Sequence, residues 1–194
     1  MNVVIIDYGA GNVFSVMTAL QRLGVRPVLS HEEMVIRRAD RVIFPGVGQA
    51  SAAMQQLKNT SLHILIPQLK MPVLGICLGM QLMCRQTEEE QTTGLGIFPL
   101  EVKRFSSSVK VPHMGWNRIQ NLKTSLFRGV ESGDWVYFVH SYYLPFCDDT
   151  VAVCDYQQQF SAAVCRENFY GCQFHPEKSA AVGEKILKNF LEIA

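Results

Sequence analysis

This chain has almost no net charge. Lysine and arginine total 18 and aspartate and glutamate 17, a formal +1 over 194 residues. No global field therefore draws it to nucleic acid or to a membrane surface, and its basic residues are scattered. It lacks an apolar run long enough to span a bilayer. The start, Asn2-Val3-Val4-Ile5-Ile6-Asp7, lacks the basic region and small-residue cleavage site of a secretory signal. Six cysteines, at 77, 84, 147, 154, 165 and 172, include no C-x-x-C pair and no Cys/His grouping with zinc-ligand spacing. No metal is expected, and the reading is a cytoplasmic chain with reduced thiols. A dinucleotide fingerprint is also incomplete. Gly9-Ala10-Gly11 follows an apolar run, but Phe14 stands where the third glycine belongs, and no ribose-binding acid follows about twenty residues on. Nucleotide cofactors are set aside.

What is present is an ordinary globular composition, 48% apolar and 18% charged, sized for one domain over 1–194. The first half alternates. Val3 to Ile6 is a short continuous apolar run, as in a strand buried on both faces. Val13, Val16, Met17, Leu20 and Leu23 form a helical stripe, with Asn12 as its cap and Gly24 as its stop. Strands are predicted over 26–29, 41–44 and 71–76, with helix from Gln49 to Leu69, in two pieces, between the last two. The second half is richer in strand signals, at 135–139, 151–154, 162–165 and 169–174, and ends in a helix carrying Val182, Ile186, Leu187, Phe190 and Leu191. A polar loop is expected over 88–96 and a hairpin tip at Ser106-Ser107-Ser108. Alternating strands and helices predict an α/β fold, an open, mainly parallel sheet covered by helices on both faces, with antiparallel elements in the second half.

Gly75-Ile76-Cys77-Leu78-Gly79-Met80-Gln81 lies where the fourth strand runs into a helix. A cysteine framed by glycines at such a joint has the logic of a nucleophile elbow, with Cys in place of Ser. Backbone N–H groups at the helix start favour a thiolate there. The same pattern also fits a buried packing thiol, so the elbow alone does not decide. Cys84, seven residues on, is expected two helical turns away on a similar face, as a packing residue.

Gln173-Phe174-His175-Pro176-Glu177-Lys178 closes the last strand. In extended backbone His175 and Glu177 point to one side, and Pro176 biases His175 toward that geometry. A carboxylate can then hold one imidazole nitrogen and leave the other for a thiol, although a surface turn answers the same three residues. Pro45-Gly46-Val47-Gly48 follows another strand, and parallel sheets place their sites beyond strand C-termini. Its glycines allow backbone N–H groups to approach a substrate, and with the Leu78 N–H they offer an oxyanion hole. His140, at the end of a further strand, is either a lining residue or a structural histidine.

G-I-C-L-G-M-Q followed by H-P-E-K resembles the class I, or triad, glutamine amidotransferases. Asp7-Tyr8-Gly9-Ala10-Gly11-Asn12, Pro45-Gly46-Val47-Gly48 and Pro112-His113-Met114-Gly115-Trp116-Asn117 narrow the resemblance to the glutaminase subunits of imidazole glycerol phosphate synthases. The resemblance implies the flavodoxin-like fold of that family and glutamine as substrate. Cys77 is then the nucleophile, His175 the general base and acid, and Glu177 its orienting carboxylate. Gly46, Val47, Gly48 and Leu78 serve the oxyanion. Gln81, Ser141 and Tyr142 hold the backbone groups of glutamine, and Glu89 its ammonium. No cofactor is implied. The implied partner is a (β/α)8-barrel cyclase subunit, forming a heterodimer that uses the ammonia in histidine biosynthesis. Tyr8, Asn12, His113, Trp116, Asn117 and Lys178 are the expected interface. A glutaminase of another pathway, a non-catalytic docking relative, or a cysteine peptidase or γ-glutamyl hydrolase on the same fold remain open at the level of sequence.

Overall fold

The structure is a computed structural model that describes residues 1–9 and 11–193. Ala10, within the D-Y-G-A-G-N stretch, lies outside the described residues. Alternation of side chains organises the core. In β1 (Val3–Ile6), Val3 and Ile5 enter one buried cluster and Val4 and Ile6 another, as the two-residue period of a strand requires. Beyond β2 (Val28–Ser30), the split repeats in β3 (Arg41–Gly46), where Ile43 opposes Val42 and Phe44. It repeats again in β4 (Val73–Cys77), where Leu74 and Ile76 oppose Val73. Each such aliphatic side chain contributes roughly 1.5–3 kcal/mol when fully buried.

Helices cover both faces. α1 (Val13–Arg22) packs Val16, Ala19 and Leu20 into the first cluster. α2 (Glu33–Arg37), α3 (Ala50–Asn59), α4 (Leu62–Leu65) and α5 (Leu78–Leu82) supply Ile36, Met54, Leu57, Leu65 and Met80 to the second. α6 (Ala180–Leu191) returns to the first with Ile186, Leu187 and Phe190. Gly24 closes α1 as expected, with φ +80° and its N–H on the Gln21 carbonyl at 2.9 Å. Asn12 does occupy the start of α1, but its side chain makes no capping bond. The helix predicted over 49–69 divides at Ser61, whose φ is +59°.

The remaining strands are β5 (Cys84–Thr87), β6 (Thr92–Thr93), β7 (Phe98–Arg104), β8 (His113–Gln120), β9 (Trp135–His140), β10 (Tyr142–Tyr143), β11 (Thr150–Tyr156), β12 (Gln158–Arg166) and β13 (Phe169–Cys172). A nine-stranded sheet runs β2-β1-β3-β4-β13-β12-β11-β8-β9. It is parallel from β2 to β13 and antiparallel from there to β9. A second sheet runs β10-β7-β5-β6. Two expectations are corrected here. Ser106–Ser108 is no hairpin tip: β7 pairs with β5 and β10, β8 with β9 and β11, so the turn carries the chain between sheets. Cys84 is not on a helix, because α5 stops at Leu82 and Cys84 opens β5; it is nonetheless a fully buried packing residue.

The elbow is seated by backbone contact. A Cβ at Gly79 would lie 1.9 Å from the Phe44 carbonyl oxygen, and one at Gly46 would lie 2.4 Å from the Gly79 nitrogen. At Gly75 a Cβ would meet Met83 Cε at 2.4 Å. These glycines serve close approach between β3, β4 and α5. The unusual backbone belongs to Cys77 itself, with φ 53° and ψ −112°.

Behind the elbow the first cluster encloses a pair of histidines. His113 stacks on Tyr156 and Phe138, with ring centroids 4.0 and 4.8 Å away. His140 sits among Phe105 and Phe160. Burial pushes the His113 imidazole down to about 4 and that of His140 to about 3.

Two outcomes follow from this packing. Gly79→Ala is expected to lower the stability to urea by at least about 2 kcal/mol, the upper part of the overpacking range; unchanged stability would contradict the contact. Below about pH 6.5 the unfolded chain takes up imidazole protons that folded His113 and His140 refuse, so stability falls as the medium is acidified. The thermal midpoint should therefore decline from about pH 6.5 to about 4.5, and less steeply in His113→Phe. Equal slopes in the two proteins would contradict the assignment.

Candidate active site

Cys77 ends β4 and precedes the first residue of α5. Its dihedrals lie outside the strand and helix wells, a strain of order 1–3 kcal/mol that surrounding structure must hold. Parallel pairing supplies that hold, since Gly46 of β3 sits in register with Cys77. The sulfur is 3.8 Å from the Val139 carbonyl oxygen and 3.8 Å from Gln173 Nε2.

His175 follows the end of β13 and is anchored through its backbone. Its N–H donates to the Tyr137 carbonyl at 2.9 Å, and its own carbonyl accepts from Ser179 Oγ at 2.7 Å. Nδ1 donates to Glu177 Oε1 at 2.8 Å, with the His175 and Glu177 side chains 2% and 1% exposed. The route differs from the expectation. His175 is extended, but Pro176–Lys178 turn in a 3-10 segment, so the carboxylate is swung under the ring rather than carried along a strand. Since Nδ1 holds its proton for the carboxylate, Nε2 of the neutral ring is an acceptor, and it is buried without a hydrogen-bond partner. Burial opposes imidazolium here, but interactions with Cys77 and Glu177 outweigh it and hold the pKa above the ordinary imidazole value.

Cys77 and His175 line one cavity of about 340 Å³. Of the loop and helix residues expected there, Val47, Gly48 and Leu78 line it. Gly46 does not; it is buried against the Leu78–Gly79 backbone, where it supports the loop from below. Gln81, Glu89, Ser141 and Tyr142 line it as well. Gln81 Nε2 donates to the Tyr142 carbonyl and to Gln173 Oε1, both at 2.9 Å. Glu89 Oε2 accepts the Ala50 N–H at 2.9 Å, tying the cavity to the start of α3. Burial pushes its carboxyl up, against the lowering effect of that N–H and with some help from Glu90.

Gln173 was given no role by the sequence. It is fully buried and joins Gln81 to the Cys77 sulfur. Its spacing of two from His175 is the only sequence signal for it. Pro112 and Val139 also line the cavity without a predicted role, and His140 does line it.

Two residues expected at an interface are corrected by burial. Tyr8 is 2% exposed and its hydroxyl donates to the Pro45 carbonyl at 2.9 Å, so it braces the 45–48 loop from inside. His113 is buried between Tyr156 and Phe138. Asn12 and Asn117 are half-buried, while Trp116 and Lys178 are exposed. Trp116 lies edge-on to Tyr137, with ring centroids 6.1 Å apart. Met114, Phe14 and Val47 add further exposed apolar surface. Among the described residues no group of three or more His, Cys, Asp or Glu could hold a metal ion, and no helix is long and apolar enough to cross a membrane.

Comparison with known proteins agrees with this geometry. Imidazole glycerol phosphate synthase subunit HisH of Bacteroides fragilis (strain YCH46) is 54% identical over 196 aligned positions, covering 100% of both chains. The HisH subunits of Bacteroides thetaiotaomicron and Yersinia pseudotuberculosis are 52% and 48% identical, also with 100% coverage of both chains. Among solved structures, a putative GMP synthase component of Thermoplasma acidophilum superposes with a TM-score of 0.77 at 20% identity, over 99% of this chain and 92% of that one. PurLQS from Thermotoga maritima gives a TM-score of 0.73 at 17% identity, over 98% and 97%. The family described as glutamine amidotransferase class-I matches residues 4–194. A thiol and an imidazole on one cavity, the imidazole bonded to a buried carboxylate behind it, in a chain with these relatives, lead to one conclusion: the chain belongs to the class I glutamine amidotransferases.

Proposed function

We propose that this chain is the glutaminase subunit of an imidazole glycerol phosphate synthase, with 1–194 acting as one glutaminase domain. The observation that carries the chemistry is the 2.8 Å bond from His175 Nδ1 to buried Glu177, which leaves Nε2 unpartnered on the cavity that Cys77 lines. His175 takes the Cys77 proton, and the thiolate attacks the carboxamide carbon of glutamine. Charge on the tetrahedral oxygen is held by backbone N–H groups of Leu78, Val47 and Gly48, with Gly46 supporting the loop from below; one such donor is worth roughly 3–4 kcal/mol in the transition state. His175 then protonates the leaving nitrogen, ammonia departs, and a thioester to Cys77 remains. Water, deprotonated by His175, attacks that thioester and releases glutamate. Glu177 keeps the imidazole in its working tautomer throughout. Gln81 and the backbone of Ser141 and Tyr142 hold the α-carbon groups of glutamine, with Glu89 facing its ammonium. The chemistry uses no metal or organic cofactor.

Ammonia released to water would become ammonium and lose its nucleophilic pair, so direct transfer to an acceptor is required. The acceptor is a (β/α)8-barrel cyclase subunit that makes imidazole glycerol phosphate and an aminoimidazole carboxamide ribotide for histidine biosynthesis. The identity of 48–54% to HisH subunits supports this assignment. The heterodimer forms on the face that carries Trp116 and Met114, with Asn12 and Lys178 as further contacts; Asn117, on the other side of β8, supports that strand through His113. Support for that face comes from its exposed apolar side chains and from Trp116 lying against Tyr137, whose carbonyl anchors His175. Six free thiols suit a reducing cytoplasm.

Glutamate release measured with the cyclase subunit present should vanish in Cys77→Ala while the thermal midpoint holds. Substantial turnover in that variant sinks the assignment. Glu177→Gln should lower kcat by ~10²-fold or more, because the ring loses its orienting charge. Trp116→Ala should weaken binding of the cyclase subunit by at least about tenfold by calorimetry, as truncation of a central aromatic does; unchanged affinity places the interface elsewhere.

A further inference from the structure

We propose that His140 is a positioning residue of the glutamine site: a one-way chain of hydrogen bonds, from Asn117 through His113 and His140 to the Tyr142 carbonyl, fixes the peptide that forms one wall of the cavity. The proposal rests on the glutaminase reading for its kinetic consequence, but the chain itself follows from atom types alone.

The direction of every bond is determined. A carbonyl oxygen only accepts, so His140 Nδ1, 2.7 Å from the Tyr142 oxygen, carries the proton. Among the described residues neither ring bonds a carboxylate, and both are buried in aromatic surroundings, so both are neutral. His140 Nε2 is then an acceptor, and its partner at 3.0 Å, His113 Nδ1, must donate. His113 Nε2 becomes the acceptor in turn and takes the Asn117 amide N–H at 3.2 Å. The Asn117 amide is oriented from its other side. Its Nδ2 also donates to the Asp155 carbonyl at 3.0 Å, and its Oδ1 accepts the Arg118 N–H at 2.8 Å. No second arrangement of these protons satisfies all four groups.

At the far end the Tyr142 carbonyl accepts a second bond, from Gln81 Nε2. Both acceptor positions of that oxygen are filled, and the peptide has one orientation in the cavity wall. Gln81 passes its other N–H to Gln173, whose amide reaches the Cys77 sulfur. Without the His140 donor, one acceptor position of that carbonyl stays empty, and the wall peptide is held only by Gln81 and by the pairing of β10 with β7. An effect of that kind weakens ground-state and transition-state binding alike, so it enters KM and leaves kcat.

Asparagine and glutamine at position 140 separate the proposal from simple packing. The asparagine amide nitrogen falls near imidazole Nδ1, the glutamine nitrogen near Nε2. In complex with the cyclase subunit, His140→Gln should raise KM for glutamine by about tenfold, the scale of one neutral hydrogen bond, with kcat within about threefold. His140→Asn, which keeps the Tyr142 bond, should stay within about threefold of the parent in KM. Equal KM values in the two variants, or a loss confined to kcat, overturn the proposal. A second measurement does not depend on activity or on the variants folding. Two-bond proton–nitrogen correlation spectra of the parent chain near neutral pH should show both His113 and His140 as Nδ1–H tautomers, the minority form of free imidazole. An Nε2–H ring at either position overturns the chain of bonds. A parent complex that hydrolyses no glutamine overturns the glutaminase reading instead, and the tautomer spectra still decide this one.

Discussion

The contact between Gly79 and the Phe44 carbonyl is the constraint on which the site depends. At that point α5 lies on the end of β3 with no side chain between them. The approach puts the first peptides of α5 beside the 45–48 loop, and it leaves Cys77 no room to relax from its positive φ. The strain at Cys77 is local, yet the restraint comes from three strands. β3 and β13 flank β4 in parallel register, so the thiol, the 45–48 loop and His175 all emerge at the same sheet edge. A parallel sheet delivers its C-terminal residues to one rim whatever they are; here they are a thiol, a glycine loop and an imidazole.

Electrostatics on that rim are settled by what is excluded as much as by what is present. Glu177 is buried but bonded to a ring nitrogen, so its charge has one direct outlet, the imidazole of His175. The other buried histidines, His113 and His140, lack such a carboxylate and stay neutral. One fold thus holds imidazoles of opposite habit a short distance apart. The difference is the Cys77 thiol and an acidic side chain two residues away in one case and only neutral partners in the other.

Much of this was legible in the residues. β1, α1, β3 and the α6 stripe were read correctly because apolar spacing of two or of three to four is a local property that survives folding. Cys77 with its glycines and His175-Pro176-Glu177 were legible for the same reason: each is a complete local device. β7 and β8 were not, since 98–104 and 113–120 mix charged and apolar residues, and their separation into two sheets depends on partners far away in sequence. The helical placing of Cys84 failed because nothing local announces that α5 ends after five residues. Gln173, Pro112 and the inward turn of Tyr8 were invisible because their contacts are tertiary. Tyr8 in particular is polar and aromatic, equally at home on a surface or beneath a loop, and only Pro45 decides between them.

The six cysteines show a further consequence of how the chain is packed. Burial pushes the thiols of Cys84, Cys154, Cys165 and Cys172 up, to about 12 for Cys154, and Cys147 is engaged with the Thr150 hydroxyl. Cys77 alone among the described cysteines lines the cavity around His175. To a small electrophile that enters that cavity, one of the six sulfurs is therefore on offer. Selectivity of that kind is set by the walls: a reagent sized for the cavity meets the Cys77 sulfur beside the His175 imidazole and no other thiol.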